Sequence, residues 1–267
     1  MMFEDFFEMK QTPFTKGIPI SSLYEDKDTE EIHSRLVYAA QNQLFALLIG
    51  DSGAGKTTTL RRLKDSLERR EYAVLYIADS KLTPRNFYND MLRQLGCDPC
   101  HVRCDARRSL HKQVEMMSLV DNRHVVVIVD EGHLLDKDML EEVRFLLNYK
   151  MDSENPLTLI ISGQTELWDR LQRSSYNAIR HRVDIQCFIQ HYELSQTKAY
   201  IERHLSYAGY TNPLFSDAAI QVVHEFSGGT PRLINRVCTQ SLKYAYQNRR
   251  TIIDDHMVEL VLNGELN

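Results

Sequence analysis

Apolar and polar positions fall along this chain in blocks of two kinds. Uninterrupted apolar runs at residues 44–49 (LFALLI), 72–78 (YAVLYIA), 125–129 (VVVIV) and 157–162 (LTLIIS) have the length and β-branched content of strands buried on both faces. Residues 183–188 (VDIQCF) are a candidate fifth strand. Between these runs, apolar residues recur every three or four positions and predict helices. One covers 25–41, with Ile32, Leu36 and Ala39 or Ala40 on one face, and another covers 58–67, with its leucines at helical spacing. Further helices are predicted at 83–95, with Pro84 at a favoured first-turn position, at 109–120, and at 138–150 through Leu140, Val143, Leu146 and Leu147. Beyond residue 192 the strand pattern stops. Helices follow at 195–208, 216–226, 233–246 and 254–262, with Ser195 and Ser216 as N-caps and Gly228-Gly229-Thr230-Pro231 as a break. Strands and helices in alternation, then helices alone, predict an α/β core with a parallel five-stranded sheet, followed by a small all-α lid. The predicted organisation is an aromatic segment at 1–24, a core at 25–191 and a helical lid at 192–267. Phe3, Phe6, Phe7 and Phe14 are expected to pack onto the core or a neighbouring subunit.

Composition narrows this picture only a little. At 267 residues, 43% hydrophobic and 26% charged, the chain has globular proportions. No apolar run approaches the roughly 18 residues a membrane helix needs, and the acidic, aromatic start MMFEDFFEMK is no secretory leader. A cytoplasmic protein without membrane contact is expected. The formal net charge of −5 offers no global attraction to nucleic acid. DNA contact would need a local patch, and Arg103, Arg107, Arg108 and Lys112 form the best one, with Lys81 and Arg85 nearby. Cys97, Cys100 and Cys104 cluster with His101 and His111. Reduced thiols in a helical connection, a zinc site and a disulfide all remain open, although the spacing fits no zinc module. Cys187 and Cys238 lie in apolar stretches and read as core.

The chemistry concentrates in GDSGAGKT, Gly50, Asp51, Ser52, Gly53, Ala54, Gly55, Lys56 and Thr57, with Thr58 following. It fits G-x-x-x-x-G-K-T, and it stands between a predicted strand and a predicted helix, the context of a phosphate-binding P-loop. Gly53 and Gly55 let backbone N–H groups turn inward, and the new helix aims its N-terminus at the same point. Lys56 would reach the β- and γ-phosphates, and the Thr57 hydroxyl would ligate Mg²⁺. The second element is the VVVIV run ending in Asp130-Glu131. In a parallel sheet its C-terminal end lies where ligands bind. Asp130 would hold Mg²⁺ as a Walker-B aspartate does, and Glu131 would polarise the attacking water as a general base.

Together these motifs resemble the AAA+ ATPases. The finer resemblance is to the ExeA/GspA-like group, closest in plan to transposition regulators of the TniB/TnsC/MuB/IstB type. It rests on Pro13-Phe14, GDSGAGKTTTLRRL, VIVDEGHLL, SGQTEL at 162–167 and SGGTPRLINRVC at 227–238. The resemblance implies ATP with Mg²⁺ as the bound species. It implies a γ-phosphate sensor at the end of the fourth strand, Ser162 or Gln164, with Gln164 favoured because its amide can bond both water and phosphate oxygen. It implies a sensor arginine in the lid at Arg232, and an arginine finger at Arg180 or Arg182, with Arg182 nearest the family position. The match there is approximate, since this chain reads His181-Arg182-Val183. A finger would make each site depend on a neighbouring copy. ExeA-type proteins continue past the ATPase, and a chain ending at Asn267 favours the transposition branch. The expected function is therefore an ATP-dependent regulator that forms a ring or filament on double-stranded DNA and recruits a partner transposase, with hydrolysis dissolving the assembly. The alternatives are a secretion-associated ATPase of the ExeA/GspA type and a nucleotide-binding signalling switch.

Overall fold

The computed structural model describes residues 3–78, 83–147 and 155–265. Lys81 and the last three residues of the predicted helix 138–150 lie outside the described residues. The chain divides into two compact units, one of residues 28–52 and 56–189, the other of residues 1–27, 53–55 and 190–267.

The first unit is built on a five-stranded sheet of β1 (Phe45–Ile49), β2 (Tyr72–Ile77), β3 (His124–Val129), β4 (Thr158–Gly163) and β5 (Ile185–Phe188). Their order is β2-β3-β4-β1-β5, and every pairing is parallel. β1, β3 and β4 are the central strands and are the buried, uninterrupted apolar runs of the sequence. Alternate residues feed two cores. Phe45, Leu47 and Ile49 point to one face, where they join residues of α4 (Pro84–Gln94), α5 (Arg103–Leu119) and α6 (Lys137–Leu147). Ala46 and Leu48 point to the other, against Leu36 of α2 (Lys27–Gln41) and Leu60 and Leu63 of α3 (Lys56–Ser66). Two short helices, α7 (Thr165–Leu171) and α8 (Asn177–Arg180), link β4 to β5.

The C-terminal ends of β1, β3 and β4 lie side by side. Ile49 is in register with Gly163, and Val129 with Ile161. Strand order changes direction here, since β1 is followed by β2 at the far edge but sits beside β4. Such switch points open the crevice in which α/β sheets bind ligands.

The second unit is helical, with α9 (Leu194–Tyr207), α10 (Asp217–Ser227), α11 (Pro231–Gln247) and α12 (Asp255–Glu265). Ser216 caps α10 as predicted, accepting from the Ala219 N–H at 3.1 Å. Ser195 does not cap α9. The N-cap is Glu193, whose carboxylate and the Gln196 side chain form a reciprocal capping box. The break before α11 uses Gly228 and Gly229 at φ 53° and 73°, and a Cβ on Gly229 would lie 2.0 Å from the Tyr192 carbonyl oxygen. The N-terminal aromatics belong to the core of the helical unit. Phe3, in the short α1 (Phe3–Phe6), and Phe7 and Phe14 are buried with Leu205, Val223, Ile234 and Leu242 in the helical unit. Phe14 stacks on the His204 ring, and its N–H donates to His204 Nδ1 at 3.2 Å. Among the described residues no helix is long and apolar enough to cross a membrane.

Candidate nucleotide site

The loop after β1 is a backbone device. Gly53 and Gly55 take φ 88° and 109°, which residues with a Cβ rarely adopt. The Gly50 N–H donates to the Gly163 carbonyl at 3.2 Å, which ties the loop's first residue to the end of β4. Lys56 opens α3 and is only 7% exposed. Its ammonium folds back onto its own loop, donating to the carbonyls of Gly50 at 2.7 Å and Asp51 at 2.9 Å. A buried ammonium held by neutral carbonyls gains by exchanging them for anionic phosphate oxygens.

Asp130, at the end of β3, is buried and engaged on both oxygens. Oδ1 accepts the Glu131 N–H at 2.9 Å. Oδ2 accepts the Thr57 hydroxyl at 3.2 Å and the Tyr76 hydroxyl at 2.8 Å. Thr57 and Asp130 thus present adjacent hard oxygen donors, the type Mg²⁺ prefers, and the residues present fit that ion. Tyr76 escaped the sequence reading, which saw in 72–78 only a strand. The signal that could have found it is a tyrosine near the C-terminal end of the strand that pairs with β3. Burial and then the bond to Asp130 push its hydroxyl up to about 12, so it remains a neutral donor.

Glu131 leaves the sheet at φ 52° and ψ 34°, in the left-handed region, with its side chain 46% exposed. That turn carries its carboxylate out of the pocket floor where Asp130 stays. The following turn lies close against β4, because Gly132 and Gly163 have no side chains. A Cβ on Gly132 would fall 2.3 Å from Ile161 Cγ2, and one on Gly163 would sit 3.2 Å from the His133 nitrogen. His133 is thereby brought to Gln164, with ring Nε2 3.1 Å from the amide Nε2, while its Nδ1 lies 3.5 Å from Glu131 Oε2. Of the two sensor candidates, Gln164 stands half-buried beside this group. Ser162 is buried within β4, and its hydroxyl has no hydrogen-bond partner among the described residues. Thr165 reaches the loop through Asp51 at 3.3 Å.

The arginines divide. In the helical unit, to which Gly53 belongs, the Arg232 N–H donates to the Gly53 carbonyl at 3.3 Å. A Cβ on Gly53 would meet Arg232 Cβ at 2.8 Å. Arg182 precedes β5, where Asp184 is level with Phe45 at the start of β1. It therefore sits at the end of the sheet opposite its own phosphate loop. Arg180 is bonded to Gln172, through the carbonyl at 3.3 Å and the side-chain oxygen at 3.1 Å.

The remaining sequence candidates are held locally. Among the described residues no three His, Cys, Asp or Glu side chains gather as a metal-ligand set. Cys97 and Cys100 pack partly buried against the core, and Cys104 is exposed on α5. Their segment is pinned by Asn89, which exchanges bonds of 2.9 and 2.8 Å with the Cys100 backbone. In the basic patch, Arg103 pairs with buried Glu142 at 3.4 Å, Arg108 pairs with Asp105 at 3.7 Å, and Arg107 lies over the Phe145 ring.

Residues 39–171 match the AAA domain family, which spans the loop, the Asp130-Glu131 pair and Gln164. The chain carries an AAA+ ATPase domain. It is 30% identical over 252 residues to general secretion pathway protein A of Aeromonas hydrophila, covering 92% of this chain and 45% of that protein. The AAA+ domain thus has a relative about twice as long as the chain. A shorter match, 28% identical over 124 residues, is to the signal recognition particle 54 kDa protein of Pyrococcus abyssi, covering 44% of this chain and 27% of that one. Among solved structures, Drosophila ORC bound to DNA superposes with a TM-score of 0.73 at 20% identity, over 99% of this chain and 66% of that one. Cdc6p of Pyrobaculum aerophilum gives 0.68 at 19%, over 90% and 67%. The RuvB Holliday junction branch migration motor of Thermotoga maritima gives 0.58 at 20%, over 88% and 68%. At these identities the likeness establishes the AAA+ fold.

Proposed function

We propose that this chain is the ATP-hydrolysing module of a protein of the general secretion pathway protein A kind, acting in the cytoplasm as an oligomer. The observation that carries hydrolysis is the convergence of Lys56, Thr57, Asp130, Glu131 and Gln164 at the C-terminal ends of three adjacent strands. Loop N–H groups and the Lys56 ammonium bind the phosphate chain. Thr57 and Asp130 hold Mg²⁺, which when bound supplies charge neutralisation on the phosphates. Glu131 takes a proton from water as the water oxygen bonds the γ-phosphorus. The bond from that phosphorus to the bridging oxygen breaks, and its electron pair leaves on ADP. Gln164 orients the water and a γ-oxygen. The family resemblance assigns Arg232 as a sensor that adds positive charge at the phosphates and Arg182 of a neighbouring copy as the finger that completes the pocket.

The secretion reading is favoured over the transposition reading because the curated relative matching 92% of the chain is a secretion-pathway protein. A DNA-bound regulator with a partner transposase is the second reading. The fold shared with an ORC structure determined on DNA supports it, and the local pairing of Arg103 and Arg108 speaks against a ready basic patch. Two assays decide between them. Magnesium-dependent ATP turnover that disappears in Glu131→Gln tests the enzyme. Co-sedimentation with duplex DNA in ATP but not ADP, weakening with salt, would favour the second reading, and its absence the first.

A further inference from the structure

His133 lies between the two residues to which the proposed hydrolysis, on which this inference rests, assigns the water and the γ-phosphate. Its ring Nε2 faces the Gln164 amide at 3.1 Å, and its Nδ1, sealed from solvent, faces the Glu131 carboxylate at 3.5 Å. Hydrogen-bond chemistry restricts how this row can be protonated. If the Gln164 NH₂ donates to Nε2, that nitrogen is bare and the ring proton sits on Nδ1, aimed at a carboxylate oxygen. If the amide is reversed and the neutral ring donates from Nε2, a bare Nδ1 faces the carboxylate, acceptor against acceptor. The first arrangement sets a donor against an acceptor at both contacts, although the 3.5 Å from Nδ1 to the carboxylate is longer than a formed hydrogen bond; the second sets two acceptors face to face.

We infer that His133 is a positioning residue for hydrolysis, held by Gln164 as the Nδ1–H tautomer so that its N–H orients Glu131. The row is a donor chain running from the Gln164 amide through the imidazole to the base. A γ-phosphate oxygen competes for the same Gln164 NH₂, so phosphate occupancy changes what the imidazole offers Glu131. The glycines at 132 and 163 serve this arrangement, since a side chain at either would press on the contact between the turn and β4.

Two readouts on the full chain test it. The first is ¹⁵N NMR of the histidine rings, with His133 assigned by the signals lost in His133→Asn. A proton on Nδ1 and a bare Nε2 are expected. A proton on Nε2, alone or with Nδ1, would overturn the inference without touching the hydrolytic reading. The second is kinetics. His133→Ala should lower kcat about tenfold while ATP affinity stays within about twofold. The double variant with Gln164→Ala should be no slower than the slower single variant, because the two act in one row. Losses that multiply, or a loss of affinity in place of kcat, contradict a positioning role. If no Glu131-dependent turnover exists at all, the hydrolytic reading and this inference fall together.

Discussion

Glu131 is held in a backbone conformation that costs a residue with a Cβ roughly 1 kcal/mol or more, and it follows directly on the buried Asp130. The strain separates two neighbouring carboxylates into two environments, one closed and bonded, one half-exposed. Glu131→Gln keeps the shape and removes the proposed base, so ATP binding should persist while turnover falls by about 10² or more in a phosphate-release assay. Tyr76→Phe removes one donor from Asp130 Oδ2 and leaves the ring in place. A bond to a charged group is worth about 1.5–3 kcal/mol, so this variant should show a shifted magnesium requirement for turnover, read by titrating the metal at fixed ATP. An unchanged magnesium curve would make Tyr76 a bystander. The placement of Lys56, Thr57, Asp130 and Glu131 at the strand ends was legible in the sequence because it depends on order along the chain. Tyr76 and His133 were not, because each finds its partner only when β2, β3 and β4 align.

Helices and strands show the same division. The central strands β1, β3 and β4 could be read from apolar runs, since strands buried on both faces carry few polar positions to confuse the pattern, whereas the edge strand β5 alternates buried and part-exposed residues. The start of α5 at Arg103 was missed because its first turn, Arg103-Cys104-Asp105, is polar and lies outside the apolar stripe that marks the helix. The short α7 and α8 have too few turns for a period to show. Capping was half legible. Serine before a helix is a real signal at Ser216 and a false one at Ser195, because Glu193 and Gln196 satisfy the first turn of α9. Ser216→Ala should therefore cost about 1 kcal/mol in denaturant unfolding, and Ser195→Ala close to nothing. Equal costs would mean that α9 begins elsewhere. At the break before α11, Gly229→Ala should cost more than about 2 kcal/mol, because the added carbon meets the Tyr192 backbone and the φ of 73° suits glycine.

Across the chain, two units have separate cores and separate sensitivities. The sheet unit carries a buried polar clamp, in which the Tyr88 hydroxyl donates to Glu142 at 2.6 Å and Arg103 pairs with the other carboxylate oxygen. The helical unit carries His204, which is buried, stacked on Phe14 and pulled down to about 4, chiefly by burial and then by Arg203. A histidine depressed on folding binds its proton more tightly in the unfolded chain. Stability from this group is therefore complete above its ordinary value near 6.5 and is lost as pH falls toward 4. The loss amounts to at most about 3 kcal/mol. Denaturant unfolding at pH 7 and pH 4.5 should show it, and His204→Gln should flatten the dependence. A pH-independent midpoint would place the imidazole in water. The finger role proposed for Arg182, which lies at the far end of the sheet from its own loop, predicts turnover that rises with protein concentration and an Arg182→Ala variant that binds ATP without hydrolysing it. The most direct test of the hydrolytic pocket is calorimetric titration of MgATP into the wild-type chain, Glu131→Gln and Lys56→Ala, followed by turnover of the same samples. Wild type and Glu131→Gln should bind, Lys56→Ala should not, and only wild type should release phosphate. Binding that survives in Lys56→Ala, or phosphate release by Glu131→Gln at the wild-type rate, would contradict a hydrolytic pocket built on these strand ends.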